Sequence, residues 1–375
     1  MLIVKLTVQT QLFPDTAQAI ALRETVEQFN EAAGWVASEA FRLKLANKIE
    51  LQKTYYRAIR ERFGLSSQMA VRCIAQVCEA YSRDKSKCPR FRKHAAMPFD
   101  YRMMSFKGID RVSLLTLGGR VIVPMVMGRY QAERFTGKKG QCDLVLRKDG
   151  KWFLLCTVDL PGGTPTPATD FVGVDLGIAN IASTSDGHFF SGAKIEQVRQ
   201  KLFRVRRSLG RKMGSAKRRT RKNARRAMSR IGNRESRFKK DANHIISKKL
   251  VALCKDTGRG LAIENLEGFR DRARFRREQR AKMGGWSFFQ LRSFMAYKSV
   301  LAGVVVAVID PRNTSRTCAE CGHFEKANRK SQSIFKCLAC GHEANADTNA
   351  ARNIRAKALV MVPESFPTVT ASAVA

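Results

Sequence analysis

The chain has 375 residues, enough for two or three domains with cores of their own, and 44% of them are apolar, which excludes a disordered chain with a basic tail. Sixty-nine Lys and Arg against 32 Asp and Glu leave a net charge of +37, so a polyanionic partner is expected. No apolar run is long enough to span a bilayer and MLIVKLTVQTQLF lacks the pattern of a secretory signal, so nucleic acid is favoured over a membrane, in a cytoplasmic setting.

The opening IVKLTVQTQL alternates as a strand does. After an Asp15 cap, helical periodicity continues through QMAVRCIAQVCEAYSR and stops near Lys87 and Pro89. From about Phe99 to Leu160 the pattern turns to strands with Gly-rich turns, the mark of a small β-barrel or sandwich. PGGTPTPATD has the composition of a linker, and a new domain is expected to start near Phe171. FVGVDLGIANIASTSDGHFFSG then reads as a buried strand, a second strand, an Asp186-Gly187 hairpin turn and a third strand. Residues 201–240 are helix-compatible and hold 18 Lys or Arg against one acid, Glu235. A buried strand (GLAIENL), a basic loop (FRDRARFRREQRAKMGG), a helix (WSFFQLRSFMAYKSVLAG) and a strand (VVVAVID) lead to a cysteine-rich segment and an Ala-rich helix. Three strands, a helix, a strand, a helix, a strand and a final helix match the ribonuclease H-like α/β layout.

Asp175 ends the first of these strands, Glu264 ends the fourth, and Asp347 opens the last helix. In such a sheet the carboxyl ends of neighbouring strands meet at one crevice, so the three carboxylates can converge. Bare carboxylates in that arrangement repel by roughly several kcal/mol and either protonate or capture cations. Two Mg²⁺ ions about 3.5–4 Å apart would suit them and would serve phosphodiester cleavage, with the last helix's macrodipole keeping Asp347 ionised. Taken singly, each has a plainer reading: Asp347 as a helix N-cap, Glu264 as a solvated strand end, Asp175 as a turn former before Gly177. GVDLGIANI also has the look of an actin-like phosphate loop, but a second phosphate-binding repeat and a Gly-rich adenosine segment are missing.

CAECGH at 318–323 and CLACGH at 337–342 are two copies of one hexad, thirteen residues apart. Cys318, Cys321, Cys337 and Cys340 have the spacing of four thiolates around one structural Zn²⁺. His323 and His342 are surplus to such a site and are expected at the surface or against nucleic acid. The other six cysteines read as core filler in a reducing compartment. The knuckles thus form an insertion between the last strand and the last helix, beside the carboxylate crevice.

VGVDLGIANIAS, LAIENLEGF, GWSFFQLRSFMAYKSVLAG, DPRNTSRTCAECGH and CLACGHEANADTNAARNI together resemble the TnpB family, transposon-encoded nucleases related to compact type V CRISPR effectors. The likeness is close over roughly residues 171–356 and holds in outline before them. It implies a multidomain α+β protein: a β-barrel (wedge) from 1–14 and 90–165, and a helical recognition part at 15–89. A RuvC-like nuclease domain would follow at 171–311 and 342–358, with a zinc ribbon at 312–341 and a disordered tail at 359–375. It also implies Asp175, Glu264 and Asp347 as the nuclease centre, a guide RNA derived from the transposon end, target DNA beside a short motif, and a prokaryotic, nucleoid-associated setting. A guide–target heteroduplex is held through its backbone, and Arg204, Arg206, Arg207, Lys217, Arg218, Arg219, Arg221 and Lys222 are the expected contacts. The competing readings are a guide-independent ribonuclease H-like nuclease, a non-catalytic guided repressor and a plain zinc-ribbon RNA-binding protein.

Overall fold

The structure, a computed structural model, describes residues 2–265 and 288–361; the basic loop expected at 269–285 and the tail beyond 361 lie outside them. Two units divide the chain, one built on Lys5–Leu160, the other on the residues from Pro161 onward together with the first four. No described helix is long and apolar enough to cross a membrane.

In the Lys5–Leu160 unit, strand β1 (Ile3–Leu12) buries every second side chain, as its alternation requires. Helix α1 (Thr16–Arg42) starts at the expected Asp15, which accepts from the Gln18 amide while the Gln18 side chain accepts from the Asp15 amide, a reciprocal capping box. Helices α2 (Lys48–Phe63) and α3 (Ser67–Arg83) complete a helical group, in which Trp35 meets Tyr55 edge-on at 5.4 Å. Strands β2 (Met97–Phe99), β3 (Met104–Lys107), β4 (Arg111–Thr116), β5 (Gly119–Val126), β6 (Lys138–Leu146) and β7 (Trp152–Pro161), with a short α4 (Arg129–Arg134), then join β1 in a nearly closed sheet ordered β2-β6-β7-β1-β5-β4-β3. Asn30 of α1 donates to the Ala95 carbonyl and Thr25 accepts from the Leu117 amide, tying helices to sheet.

The second unit is organised on strands β8 (Phe171–Asp175), β9 (Asn180–Thr184), β10 (Phe189–Ser191), β11 (Gly260–Glu264) and β12 (Val306–Ile309), in the order β10-β9-β8-β11-β12. β8, β11 and β12 run parallel, and the β9–β10 hairpin adds antiparallel strands through the expected Asp186-Gly187 turn. β8, β9 and β11 are largely buried, whereas β10 is exposed at the edge. Val172, Val174, Leu261 and Ile263 pack with residues of α7 (Arg234–Asp256) and α8 (Phe288–Ala302) on one side. Phe171, Ala262 and Ile309 pack with Ile354 and Ala358 of α9 (Ala346–Val360) on the other. α9 extends through Val360, two residues into the stretch expected as a disordered tail from 359.

Two sequence expectations change here. The basic stretch is α5 (Ala193–Met213), α6 (Arg218–Ile231) and the start of α7, because glycines stop the first two helices: Gly214 caps α5, and Gly232, at φ 39°, caps α6. The Gly- and Pro-rich segment at 161–170 is not a free tether. Its amides donate to fixed carbonyls, Gly162 to Leu2 at 2.7 Å, Gly163 to Val300 at 2.9 Å and Thr166 to Gly303 at 3.1 Å. Glycine composition marks close backbone approach here, since a Cβ on Gly163 would lie 2.7 Å from the Gly303 nitrogen.

Candidate metal centres

Three elements place Asp175, Glu264 and Asp347 on the α9 side of the sheet, near enough for the last two to act on the charge of the first, though their oxygens do not all lie within 4.8 Å of one another. Side chains alternate along a strand, so Asp175 shares a face with Gly173, and Glu264 with Ala262. Gly173 lies directly under α9: a Cβ there would meet the Ala351 carbonyl oxygen at 2.0 Å. Asp347 stands about one turn before Ala351, which carries it toward the end of β8 where Asp175 sits. Parallel pairing sets Ile263 beside Val174, so Glu264 ends next to Asp175.

Glu264 and Asp347 are 9% and 8% exposed, little enough for their charges to be felt. Burial, then the neighbouring charges of Glu264 and Asp347, push Asp175 up to about 7, with the Arg329 guanidinium acting in the opposite sense. Burial also raises Glu264, while the Thr314 hydroxyl, 2.5 Å from its Oε1, favours the ionised form. Asp347 accepts from Asn180 Nδ2 at 3.0 Å on Oδ2, and Arg329 lies 3.5 Å from Oδ1. The N-cap reading of Asp347 is set aside, since Asn345 is the cap and accepts from the amides of Asp347 and Thr348. That leaves the Asp347 carboxylate facing the crevice. Three acidic groups with one guanidinium between them form a hard-oxygen donor set short of positive charge, and Mg²⁺ fits it.

The cysteines close on a single point. Among the described residues, Cys318, Cys321, Cys337 and Cys340 are the one group of three or more acidic, His or Cys ligand atoms that lie within 4.8 Å of one another. Sγ separations are 3.7 Å for Cys318–Cys340 and 3.5 Å for Cys321–Cys337. The two knuckles repeat each other bond for bond. Cys318 and Cys337 donate to the carbonyls of His323 and His342, each at 2.9 Å, while Gly322 and Gly341 turn at φ 75° and 76°. Amides of Cys340 and Ala339 hold the Cys337 thiol down at about 6. Four thiols in this array fit a closed, structural Zn²⁺ site. The histidine side chains take no part in the cluster; His342 is half-buried, with Nε2 enclosed and unpaired.

Sequence reasoning passed over the residues that join the two centres. Asn349 donates to the Thr317 carbonyl at 2.8 Å and accepts from the Ala319 amide at 3.0 Å. Asn353 donates to the carbonyls of Thr314 and Thr317. Both asparagines lie on α9, four apart and so on one face, a signal available in NAARN. Arg329 reaches Asp347 from the ribbon itself.

Of the eight expected backbone-binding cations, Arg204, Arg207, Lys217, Arg218, Arg219 and Lys222 are exposed. Arg206 is instead paired at 2.6 Å with Glu235, which also holds Lys239 at 2.6 Å. Arg221 donates to the carbonyls of Ser215 and Ala216 at 2.8 and 2.7 Å and so fixes the α5–α6 turn.

Residues 155–268 match a family profile described as a probable transposase (OrfB_IS605), and residues 288–354 match one described as the Cas12f1-like TNB domain. An RNA-guided DNA endonuclease of Streptomyces pristinaespiralis is 30% identical over 301 residues, 78% of this chain and 71% of that protein. The chain belongs to the TnpB family of RNA-guided DNA endonucleases. The TnpB relatives include InsQ of Escherichia coli, 29% identical over 77% of this chain and 73% of that one. The CRISPR-associated endodeoxyribonuclease Cas12f1 of Sulfoacidibacillus thermotolerans is 32% identical over 272 residues, 68% of this chain, but the match spans only 61% of that relative's length. In fold, the chain is similar to Cas12f1 from an sgRNA–target DNA complex, with a TM-score of 0.61 at 14% identity over 89% of this chain and 82% of that one. Asp175 and Glu264 fall inside the segment that matches the probable transposase profile; Asp347 and the four cysteines fall inside the one that matches the Cas12f1-like TNB domain.

Proposed function

We propose that this chain is an RNA-guided, Mg²⁺-dependent endonuclease that hydrolyses double-stranded DNA beside a short adjacent motif, using a guide RNA from the transposon end. The observation that supports the reading is that carboxylates from three separate elements are electrostatically linked, Asp175 being pushed up to about 7 by burial and by the charges of Glu264 and Asp347. Asp175, Glu264 and Asp347 would hold the ions through their carboxylate oxygens. When bound, such ions supply an activated water and stabilise the leaving oxygen of phosphodiester cleavage. Thr314 keeps the Glu264 carboxylate in place, and Arg329 offsets part of the negative charge. The cysteine ribbon, with its Zn²⁺, would hold α9 and so Asp347 in register. Exposed cations of α5 and α6 would take the guide or heteroduplex backbone, which needs charge rather than base-reading side chains. Family membership and the Cas12f1-like fold support the guide.

Protein made with its native flanking transcript should cleave matched double-stranded DNA, and only where the motif adjoins. Asp175→Ala, Glu264→Ala and Asp347→Ala should each abolish cleavage while leaving guided binding intact. Near-wild-type cutting by any one of them in Mg²⁺ would remove that residue from the centre. Equal cutting of matched and scrambled targets, with or without RNA, would make the protein a guide-independent nuclease.

A further inference from the structure

Strand β9 is irregular where it passes the carboxylates. Its pairing with β10 runs Ser183–Phe189 and Ala182–Phe190, then skips Ile181 and resumes at Asn180–Ser191. One extra residue in a strand reverses the alternation of everything beyond it. Ile181 and Ala182 accordingly both join the core on the α7–α8 side, where a regular strand would send neighbours to opposite faces. The residues flanking this bulge, Asn180 and Ser183, are both left for the α9 side.

Each stands at one carboxylate. Asn180 donates to Asp347 Oδ2 at 3.0 Å, which leaves Oδ1 free of that bond. Ser183 is the direct cross-strand partner of Asp175, a relation that sets Cβ atoms about 4.5–5.5 Å apart on one face. The Ser183 hydroxyl is buried and has no hydrogen-bond partner of its own. Buried hydroxyls are seldom left unpaired, and an ionised Asp175 beside it would offer acceptors only. Both residues are neutral, so they can fix a carboxylate oxygen without cancelling the charge that attracts cations. Arg or Lys in the same places would hold the oxygens and repel the ions.

We infer that the β9 bulge makes Asn180 and Ser183 a pair of neutral positioning residues, orienting Asp347 and Asp175 for cation binding. The inference rests on the metal-ion reading of the crevice, and it adds residues that act through the ligands rather than on substrate. Loss of such outer partners weakens metal binding by about 10–100-fold in well-studied sites.

The test is calorimetric titration of the full-length, zinc-loaded protein with Mn²⁺, on wild type and on Asn180→Leu, Ser183→Ala, Ser183→Thr and Asp347→Ala. Expected are at least about tenfold weaker binding in Asn180→Leu and Ser183→Ala, with wild-type affinity restored by the hydroxyl of Ser183→Thr. If Asn180→Leu lowers Tm by more than a few degrees, Asn180→Ser replaces it, being polar but too short to reach Asp347. Wild-type affinity in both the Asn180 and Ser183→Ala variants, with binding lost in Asp347→Ala, would overturn the positioning role alone. Wild-type affinity in Asp347→Ala would instead remove the metal centre on which the role depends.

Discussion

Gly173 decides how near α9 can lie to β8, and through that spacing it decides whether Asp347 meets Asp175. A methyl group there would sit 2.0 Å from the Ala351 carbonyl oxygen and 2.7 Å from the Arg355 nitrogen, both backbone atoms that cannot swing aside. Gly173→Ala is therefore expected to lift α9, to cost at least the roughly 1–3 kcal/mol of an overpacked core, and to slow cleavage by more than about tenfold. Thermal unfolding and single-turnover cleavage check it; an unchanged Tm and rate would mean that α9 has slack at this point. Asp175 and Glu264 were legible because each is the lone acid closing an otherwise buried strand. Asn180, Ser183, Thr314 and Arg329 were not, for reasons that differ. The first two depend on a single-residue bulge that no periodicity announces, and the others lie in loops whose course is set by the packing of distant segments.

At the scale of elements, the ribbon and α9 form one mechanical piece, because Asn349 and Asn353 take their partners from the loop running into the first knuckle. One tightly bound zinc per chain is expected, lost on Cys340→Ser. Its removal should raise amide hydrogen exchange in the first turns of α9 by about tenfold or more, as metal binding is folding free energy in such modules. Elemental analysis and exchange measured by mass spectrometry would show it; unaltered exchange in zinc-free protein would uncouple the two. A second element contact is sensitive to acid. His244 of α7 stacks on Phe294 of α8 with centroids 3.9 Å apart, and burial with the nearby Lys298 charge pushes it down to about 4. The unfolded chain protonates this group near the usual value of about 6.5, so its neutral ring contributes stability above that pH and loses it as pH falls toward 4. Wild-type Tm should therefore drop further between pH 7 and 4.5 than that of His244→Phe, and parallel curves would contradict the assignment. The order of elements in this unit was readable from buried strands and caps. The pinned 161–170 segment was not, since glycine looks the same in a tether and in a close backbone contact.

Over the whole molecule, the excess of 37 positive charges is largely unspent on internal pairing. Glu235 answers Arg206 and Lys239, but the remaining expected contacts on α5 and α6 point to water or turn carbonyls. If about six to ten phosphates are contacted, affinity for guide RNA should fall by roughly 10³–10⁵ between about 50 and 200 mM salt. Replacing Arg204, Arg207, Lys217, Arg218, Arg219 and Lys222 with Gln should flatten that slope without changing sequence preference. Arg206→Gln and Arg221→Gln should act mainly on stability, because both side chains already have protein partners. An unchanged slope in the sixfold variant would return these helices to a solvated face. The order of the chain adds a consequence in time. Asp175 and Asp347 are 172 residues apart (347 − 175), with the basic helices between them and the ribbon immediately before the second. At about 5–20 residues per second, a ribosome needs roughly 9–35 s to travel from one to the other. Once those helices are complete, the nascent protein owns its cationic surface while it still lacks Asp347 and the helix that covers Gly173. On the proposed function, the chain gains its surface for RNA before it gains its cutting centre.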